Sequence, residues 1–397
     1  MKSITLLTQF FPPETGAAAN RAGRLLEYMY EHGIEAKVIT WFPHYPSRIL
    51  FKEYKGRFLV NETVHGIKIM RFKPIIAKKL FKRMIAEIWL GFCSLIGGLI
   101  EKRTSYIYVS TPSIMLVYFG WLLAKLKRNC LIVEIRDLTW NYAFVNNSGQ
   151  LNFLGRLIQR SIIKIAKGSA LVVVTNQIQK EFLLVNNIPD NKIFVLYNGF
   201  REEELLPYQP KVAKNNQKDS PFIVLYTGLV GLPQGLDVLI KAAKLTQEYN
   251  IIYWIVGDGL EKEYLIDLVQ QLQLKNVEFY ASVPKKDLGA FYNAADCLFA
   301  HLRGNGQYDS ALPSKLIDYM VAGRPVLFAG RGEGKLLIEK AACGITIEPD
   351  SPENIAKAVL EILGKPNNIM GKRGYDYAIE NFNCDLLYGE LLNILYE

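Results

Sequence analysis

The sequence predicts the α/β fold class: two Rossmann-like domains, each built on a doubly wound parallel sheet, facing each other across a cleft. Three observations carry that expectation. At 397 residues the chain exceeds what one ordinary core holds. Short apolar, β-branched runs alternate with helix-length stretches along its length. One polar, proline-bounded tract, Pro207–Pro221, interrupts the alternation and has no periodicity of its own.

The first domain, residues 1–206, carries strand-like runs at Ile4–Thr8, Lys37–Thr40, Ile67–Phe72, Tyr106–Ser110, Leu131–Ile135, Leu171–Thr175 and Ile193–Tyr197. After the linker, 207–221, the second domain (222–373) has them at Phe222–Tyr226, Ile251–Val256, Val277–Tyr280, Cys297–Ala300, Val326–Ala329 and Gly344–Ile347. Most are continuously apolar rather than alternating, so helices should cover both faces of each sheet. Residues 374–397 read as an aromatic-rich terminal helix.

Composition narrows the class. Half the residues are hydrophobic, as in a globular protein. The five cysteines are scattered and odd in number, which points to reduced, buried thiols rather than a disulfide framework or zinc site. Residues 1–210 hold 28 Lys plus Arg against 15 Asp plus Glu, a net +13, whereas the remainder holds 19 against 23. A basic half of this kind suits an anionic surface, either membrane or nucleic acid. The N-terminal MKSITLLTQF has no signal-peptide pattern, so a cytoplasmic chain is expected.

Doubly wound sheets bind ligands beyond the carboxyl ends of their strands. After the first strand, FFPPETGAAANR brings Gly16 and three alanines to a helix starting near Ala17, which serves either close ligand approach or tight packing. Arg136 and Asp137 stand at the end of another strand, as a structural ion pair or as site elements. In the second domain, Tyr226 leads into TGLVGLPQGLD, Val256 into GDGLEKEYL and Tyr280 into ASVP. Neither G-x-G stretch matches G-x-G-x-x-G, so no nicotinamide or flavin cofactor is expected. No P-loop, H-E-x-x-H, G-x-S-x-G or D-x-D motif occurs, and the four histidines show no metal spacing. The most informative segment is ADCLFAHLRGNGQYDSALPSKLIDYMVAGRPV, Ala295 to Val326. It reads as a strand, a polar loop and a helix opening at Ser314, apolar along Leu316, Ile317, Met320 and Val321, and stopped by Gly323 and Pro325. The loop delivers Arg303 and Lys315 to a helix N-terminus, where unpaired N–H groups and the dipole favour an anion. An ordinary βα unit with solvated cations has the same local pattern.

In order along the chain, FPPETGAAANR, VLYNGF, TGLVGLPQGLDVLI, IVGDGLEKEYL, ASVP and PSKLIDYMVAGRPV resemble the successive loops of retaining glycosyltransferase family 4. The resemblance covers essentially the whole chain. In style it is closest to bacterial surface-polysaccharide transferases that add amino sugars such as N-acetyl-fucosamine. It implies the two-domain GT-B fold, with an acceptor-binding, membrane-facing first domain and a nucleotide-sugar-binding second domain. It also implies a last helix crossing back to the first domain. Two departures stand out. Alignment on Ala322-Gly323 puts Asp318 at the second position of the family's E-x7-E pair and Ser310 at the first. Leu229 and Gln234 occupy places where many members carry Arg and Lys.

The resemblance implies transfer of a glycosyl group, with retention, from a nucleoside-diphosphate sugar, UDP at the family level. The acceptor implied is a polyprenyl-diphosphate-linked saccharide, and no metal is expected. Lys315 and Arg303 would stabilise the departing diphosphate; Arg136 and Asp137 complete the catalytic set, with Asp137 orienting sugar or acceptor. The donor site implied comprises Gly16, Gly228, Leu229, Gln234, Gly257, Val283, Ser310, Ala311, Leu312, Pro313, Ser314, Lys315 and Asp318. Rival readings are a nucleotide-sugar epimerase on a related fold and a non-catalytic donor-binding scaffold. A nucleic-acid-binding protein is a third, but no nucleic-acid module is legible.

Met84–Ile100 is a 17-residue stretch whose only charge is Glu87, flanked by Lys78, Lys79, Lys82 and Arg83 and by Lys102 and Arg103. Its length, its Gly97-Gly98 pair and the strand that follows at once argue against a membrane span. A buried crossover helix and an interfacial helix remain open. Leu151–Lys167 adds Arg156, Arg160, Lys164 and Lys167 at helical spacing. Together these favour a peripheral protein on the inner face of the cell membrane, which is the location expected.

Overall fold

The computed structural model describes residues 2–14, 16–44, 49–76, 80–138, 140, 152–205, 220–304, 306, 308–364 and 368–396. Thr15, Lys78, Lys79 and positions 207–219 of the proline-bounded tract therefore lie outside the described residues. The chain divides into two compact units, Met1–Tyr197 with Asp385–Glu397, and Asn198–Cys384. The division falls at Tyr197/Asn198, ahead of the boundary read from composition, and residues 374–384 belong to the second unit.

The first unit's sheet contains β1 (Ser3–Leu7), β2 (Glu35–Trp41), β3 (Leu59–Val64), β4 (Ile67–Phe72), β5 (Tyr106–Ser110), β6 (Cys130–Ile135), β7 (Leu171–Val174) and β8 (Ile193–Val195). Its order is β3-β4-β2-β1-β5-β6-β7-β8. All neighbours are parallel except β3 and β4, which form a hairpin. Its turn, His65-Gly66, has both residues at positive φ (47° and 79°), the geometry a two-residue hairpin favours. Arg71 on β4 is fully buried and pairs with Glu62 on β3, Nε to Oε1 at 2.5 Å, while it also donates to the Pro12 carbonyl. One arginine thus ties the hairpin to the loop after β1.

Helices Leu80–Ile100, Ile114–Lys127 and Phe153–Lys167 contribute to one hydrophobic core with the sheet. Gly91 and Gly98 let the first two come close, since a Cβ at either would stand 2.2 Å from Phe119 or Leu123. Glu87, the lone acid of the apolar stretch, has a structural reason. Its Oε2 accepts from Ile114 N at 3.1 Å and Ser113 Oγ at 3.2 Å, so it caps the neighbouring helix. The stretch is neither buried all round nor free-standing: Leu90 and Cys93 are buried, whereas Ile88, Phe92 and Leu99 are exposed. The terminal helix, Cys384–Tyr396, reaches the first sheet, where Tyr106 Oη donates to the Leu395 carbonyl at 2.9 Å.

The second unit holds β9 (Phe222–Thr227), β10 (Ile251–Val256), β11 (Val277–Tyr280), β12 (Cys297–His301), β13 (Val326–Ala329) and β14 (Gly344–Ile347), all parallel. The order β11-β10-β9-β12-β13-β14 is that of the dinucleotide-binding fold. Chain direction across the sheet reverses between β9 and β12, so the loops after those two strands open a crevice where ligands bind in such sheets.

Candidate functional site

The loops after β9 and β12 meet at that reversal. Helix Ser314–Val321 begins there, with Pro313 before it and no side-chain cap on its first turn. Lys315 turns back over β9, placing Nζ 3.7 Å from the centre of the Tyr226 ring. That amine is buried and has no hydrogen-bond partner among the described residues, although the rest of the side chain is partly exposed. Burial pushes its pKa down to about 7, with Asp318 pulling weakly upward. Gly228, at φ 116°, makes room for it: a Cβ there would lie 3.3 Å from Nζ. A buried amine beside the positive end of a helix is unfavourable unless an anion joins them. The arrangement is therefore suited to a phosphate-bearing ligand.

Arg303 departs from the sequence expectation. Its guanidinium pairs with Asp237 through Nη2 and with Asp350 at 3.1 Å through Nη1. Its stem lies over Gly235, whose αL backbone (φ 48°) leaves no Cβ in the way. Two carboxylates already neutralise this cation, which makes it a brace between three loops rather than a partner for diphosphate. His301, which sequence reasoning did not place in the site, braces the same loops. Its Nδ1 lies 2.7 Å from the Gln234 carbonyl, and its Nε2 accepts from Asp350 N at 3.1 Å. Burial lowers its pKa, so the ring is neutral with the proton on Nδ1. A histidine ending a buried strand was the available signal.

Gly257 also has a packing role. Its Cβ would fall 1.9 Å from the Gly228 carbonyl oxygen, and the two loops are joined by Gly228 N to Val256 O at 2.9 Å. Leu229 is 54% exposed and presents an aliphatic side chain on the loop after β9. Gln234 holds its backbone against His301 while its Oε1 is buried without a partner among the described residues. Ser310, Ala311, Leu312, Pro313 and Ser314 are half-buried along the approach to the helix, and Asp309 O beside them accepts from Glu333 N at 3.2 Å. Further along, Asp318 pairs with Lys285 at 2.8 Å. Both line a cavity of about 390 Å³ with Lys286, Tyr292 and Phe200. Val283, half-buried, lies two residues before Lys285, on a loop anchored by Ser282 N to Asp258 Oδ2 at 2.8 Å.

In the first unit, Gly16 stands at the N-cap of helix Ala17–Glu31 with φ 135°. Arg136 and Asp137 directly follow β6 beside a charge the sequence reading missed. Glu134, buried within that strand, pairs with Arg21 at 2.7 Å and accepts from Ser110 Oγ at 2.5 Å. Burial would raise the Glu134 carboxyl, but Arg21 and Arg136 hold it below its ordinary value. Among the described residues Arg136 has no hydrogen-bond partner at Nε, and burial lowers its pKa. Burial also raises Asp137 against the pull of Arg136. Arg21 and Arg136 thus flank Glu134 at this strand end, with Asp137 as a second carboxylate beside Arg136.

Residues 208–377 match the family model described as glycosyl transferases group 1. Over 385 residues the chain is 24% identical to the putative colanic acid biosynthesis glycosyl transferase WcaI of Escherichia coli, covering 92% of this chain and 93% of that one. Among solved structures it resembles sucrose-phosphate synthase of Thermosynechococcus elongatus, with TM-score 0.75, 18% identity and coverage of 100% and 99%. It also resembles HepE of Anabaena, solved in complex with UDP-glucose, with TM-score 0.68, 16% identity and full coverage of both chains. These likenesses identify the fold as that of the GT-B glycosyltransferases.

Proposed function

We propose, from the match of residues 208–377 to the group 1 glycosyl transferase model, that the chain moves a sugar from a UDP-linked donor to a polyprenyl-diphosphate-linked saccharide. The sugar is an amino or deoxy sugar, the anomeric configuration is retained, and the product is a surface polysaccharide such as O-antigen or capsule. The reaction takes place at the inner face of the cell membrane. HepE, which binds UDP-glucose, and WcaI, named for colanic acid biosynthesis, support the donor class and the pathway type.

One observation carries the donor reading: the buried, unpartnered amine of Lys315 at the uncapped start of helix Ser314–Val321. As the glycosidic bond breaks, negative charge grows on the leaving diphosphate, and Lys315 with the helix N-terminus stabilises it. The charge is carried by protein groups, without a metal. Arg303 is left out of this role because Asp237 and Asp350 hold it. Asp318 supplies the second carboxylate of the pair, facing the sugar or ribose, while Ser310 at the first position offers a hydroxyl in place of a carboxylate. Asp137, with Arg136 beside it, orients the acceptor, and a phosphate oxygen of the donor receives the acceptor's proton on the same face.

The test is transfer from radiolabelled UDP-sugars to a lipid-linked acceptor by wild type and Lys315→Ala. Loss of one oxyanion-type contact predicts a rate lower by roughly a hundredfold. Equal rates would remove Lys315 from the site. Conversion of the donor without acceptor would favour an epimerase.

A further inference from the structure

In the first unit, β1 and β2 are parallel neighbours, so the loops after them leave the carboxyl edge of the sheet side by side, where doubly wound sheets bind ligands. These loops hold a carboxylate and an imidazole that the proposed chemistry does not use. Glu14, 2% exposed, accepts from the backbone N of His44 at 2.8 Å on Oε1, and the same oxygen lies 3.4 Å from His44 Nδ1. Nδ1 also faces the Phe42 carbonyl at 2.9 Å. Both neighbours of Nδ1 are acceptors, so in the neutral ring the proton sits there and Nε2 is left as an acceptor. His44 as a whole is 8% exposed. Its Nε2 has no partner among the described residues, yet it is not sealed from solvent as Nε1 of the adjoining Trp41 is. His301, by contrast, spends both ring nitrogens on protein groups. The surroundings hold the His44 ring still. The Trp41 ring packs 5.7 Å from it, centre to centre, Thr40 Oγ1 donates to the Gln9 carbonyl at 3.3 Å, and Arg71 donates to the Pro12 carbonyl. Burying a carboxylate only to pack a loop costs more than an aliphatic side chain would.

We infer that His44 Nε2 accepts a hydrogen bond from a hydroxyl of the acceptor saccharide, which makes the loops after β1 and β2 a sugar-binding subsite and His44 a specificity-determining residue. The inference deepens the acceptor half of the proposed reaction and rests on that reading for the class of ligand. The lone pair chooses among the acceptor's groups. It repels phosphate oxygens, so the diphosphate is not its partner, whereas a sugar hydroxyl donates to it. A metal ion does not fit either: among the described residues no three His, Cys, Asp or Glu side chains gather to hold one. An acceptor lacking that hydroxyl would strip the nitrogen of water and leave it unpaired, the stronger form of discrimination.

The probes are methyl glycosides of glucose, galactose, N-acetylglucosamine, N-acetylgalactosamine and rhamnose, added to the full chain. Diethyl pyrocarbonate acylates accessible, unprotonated imidazole nitrogens, and peptide mass mapping reads each histidine separately. His44 should be labelled, and at least one glycoside should block that labelling while the exposed His32 and His65 react as before. His44→Phe, which keeps a ring without the lone pair, should bind that glycoside about tenfold more weakly by saturation-transfer NMR. His44→Gln returns an acceptor oxygen and should recover most of the loss, which a purely structural role would not produce. Should His44→Phe fail to fold, labelling of the wild-type chain still decides the matter. The inference is overturned by a His44 that is not labelled, by labelling that none of the glycosides blocks, by blocking with inorganic phosphate instead, or by a folded His44→Phe that binds like wild type. No readout uses the donor or turnover, so a failed transfer assay with intact protection of His44 would count against the proposed reaction alone.

Discussion

Lys315 Nζ lies 3.7 Å above the ring of Tyr226 with no hydrogen-bond partner among the described residues. The cation–π contact offsets only part of the cost of burying an amine. The folded chain therefore holds a strained charge that a diphosphate would relieve. Lys315→Met should raise thermal stability at pH 6 while abolishing the stabilisation given by UDP. Melting curves with and without nucleotide check both halves. A variant less stable than wild type at that pH would mean the amine has a structural partner.

The same burial fixes a pH dependence. The amine titrates near 7 in the folded chain against an ordinary value of 10.5. Between those values the unfolded state binds a proton that the folded state lacks, so this residue's contribution to stability rises with pH across that window. Below pH 7 both states are protonated and the full penalty is present. The stability difference between wild type and Lys315→Met should therefore shrink from pH 6.5 to pH 9. Parallel pH profiles would show that the amine is not buried in solution.

Nucleotide binding should run the other way. An anion favours the ammonium form, so binding UDP above pH 7 should draw in a proton, and affinity should weaken by up to about tenfold per pH unit. Calorimetry in buffers of different ionisation enthalpy reads that proton directly. A binding heat independent of buffer would place the diphosphate elsewhere.

Arg303 and Lys315 separate by experiment. Held by Asp237 and Asp350 and about a third exposed, Arg303 should couple to Asp237 by about 1 kcal/mol in a double-mutant cycle. Arg303→Ala should therefore lower stability modestly and leave turnover far closer to wild type than Lys315→Ala does. A hundredfold loss of turnover in Arg303→Ala would restore it to the diphosphate.

The helix at Ser314 was legible because apolar spacing and the Gly323 stop mark it locally, and Gly323 does adopt φ 65°. The buried parallel strands were legible as continuous apolar runs. β3 was not, because Leu59–Val64 is an exposed edge strand whose mixed polar sequence lacks such a run. The carboxylates around Arg303 were invisible for another reason. Asp237 and Asp350 lie 66 and 47 residues away in sequence, and only the sheet order brings them to one loop. Glu134 was overlooked because a single acid in an apolar strand reads as an interruption until Arg21 is seen across from it.

Gly257 distinguishes packing from binding in the same crevice. A Cβ there would meet the Gly228 carbonyl oxygen at 1.9 Å, backbone against backbone, where no rotamer change can help. Its φ of 157° adds strain for any side chain. Gly257→Ala should then cost about 1–3 kcal/mol in urea unfolding, through separation of the loops after β9 and β10. Leu229→Ala, on the first of those loops but exposed, should change stability by less than about 0.5 kcal/mol. If Gly257→Ala left unfolding unchanged but removed UDP binding, the glycine would belong to the ligand rather than to the loop pair.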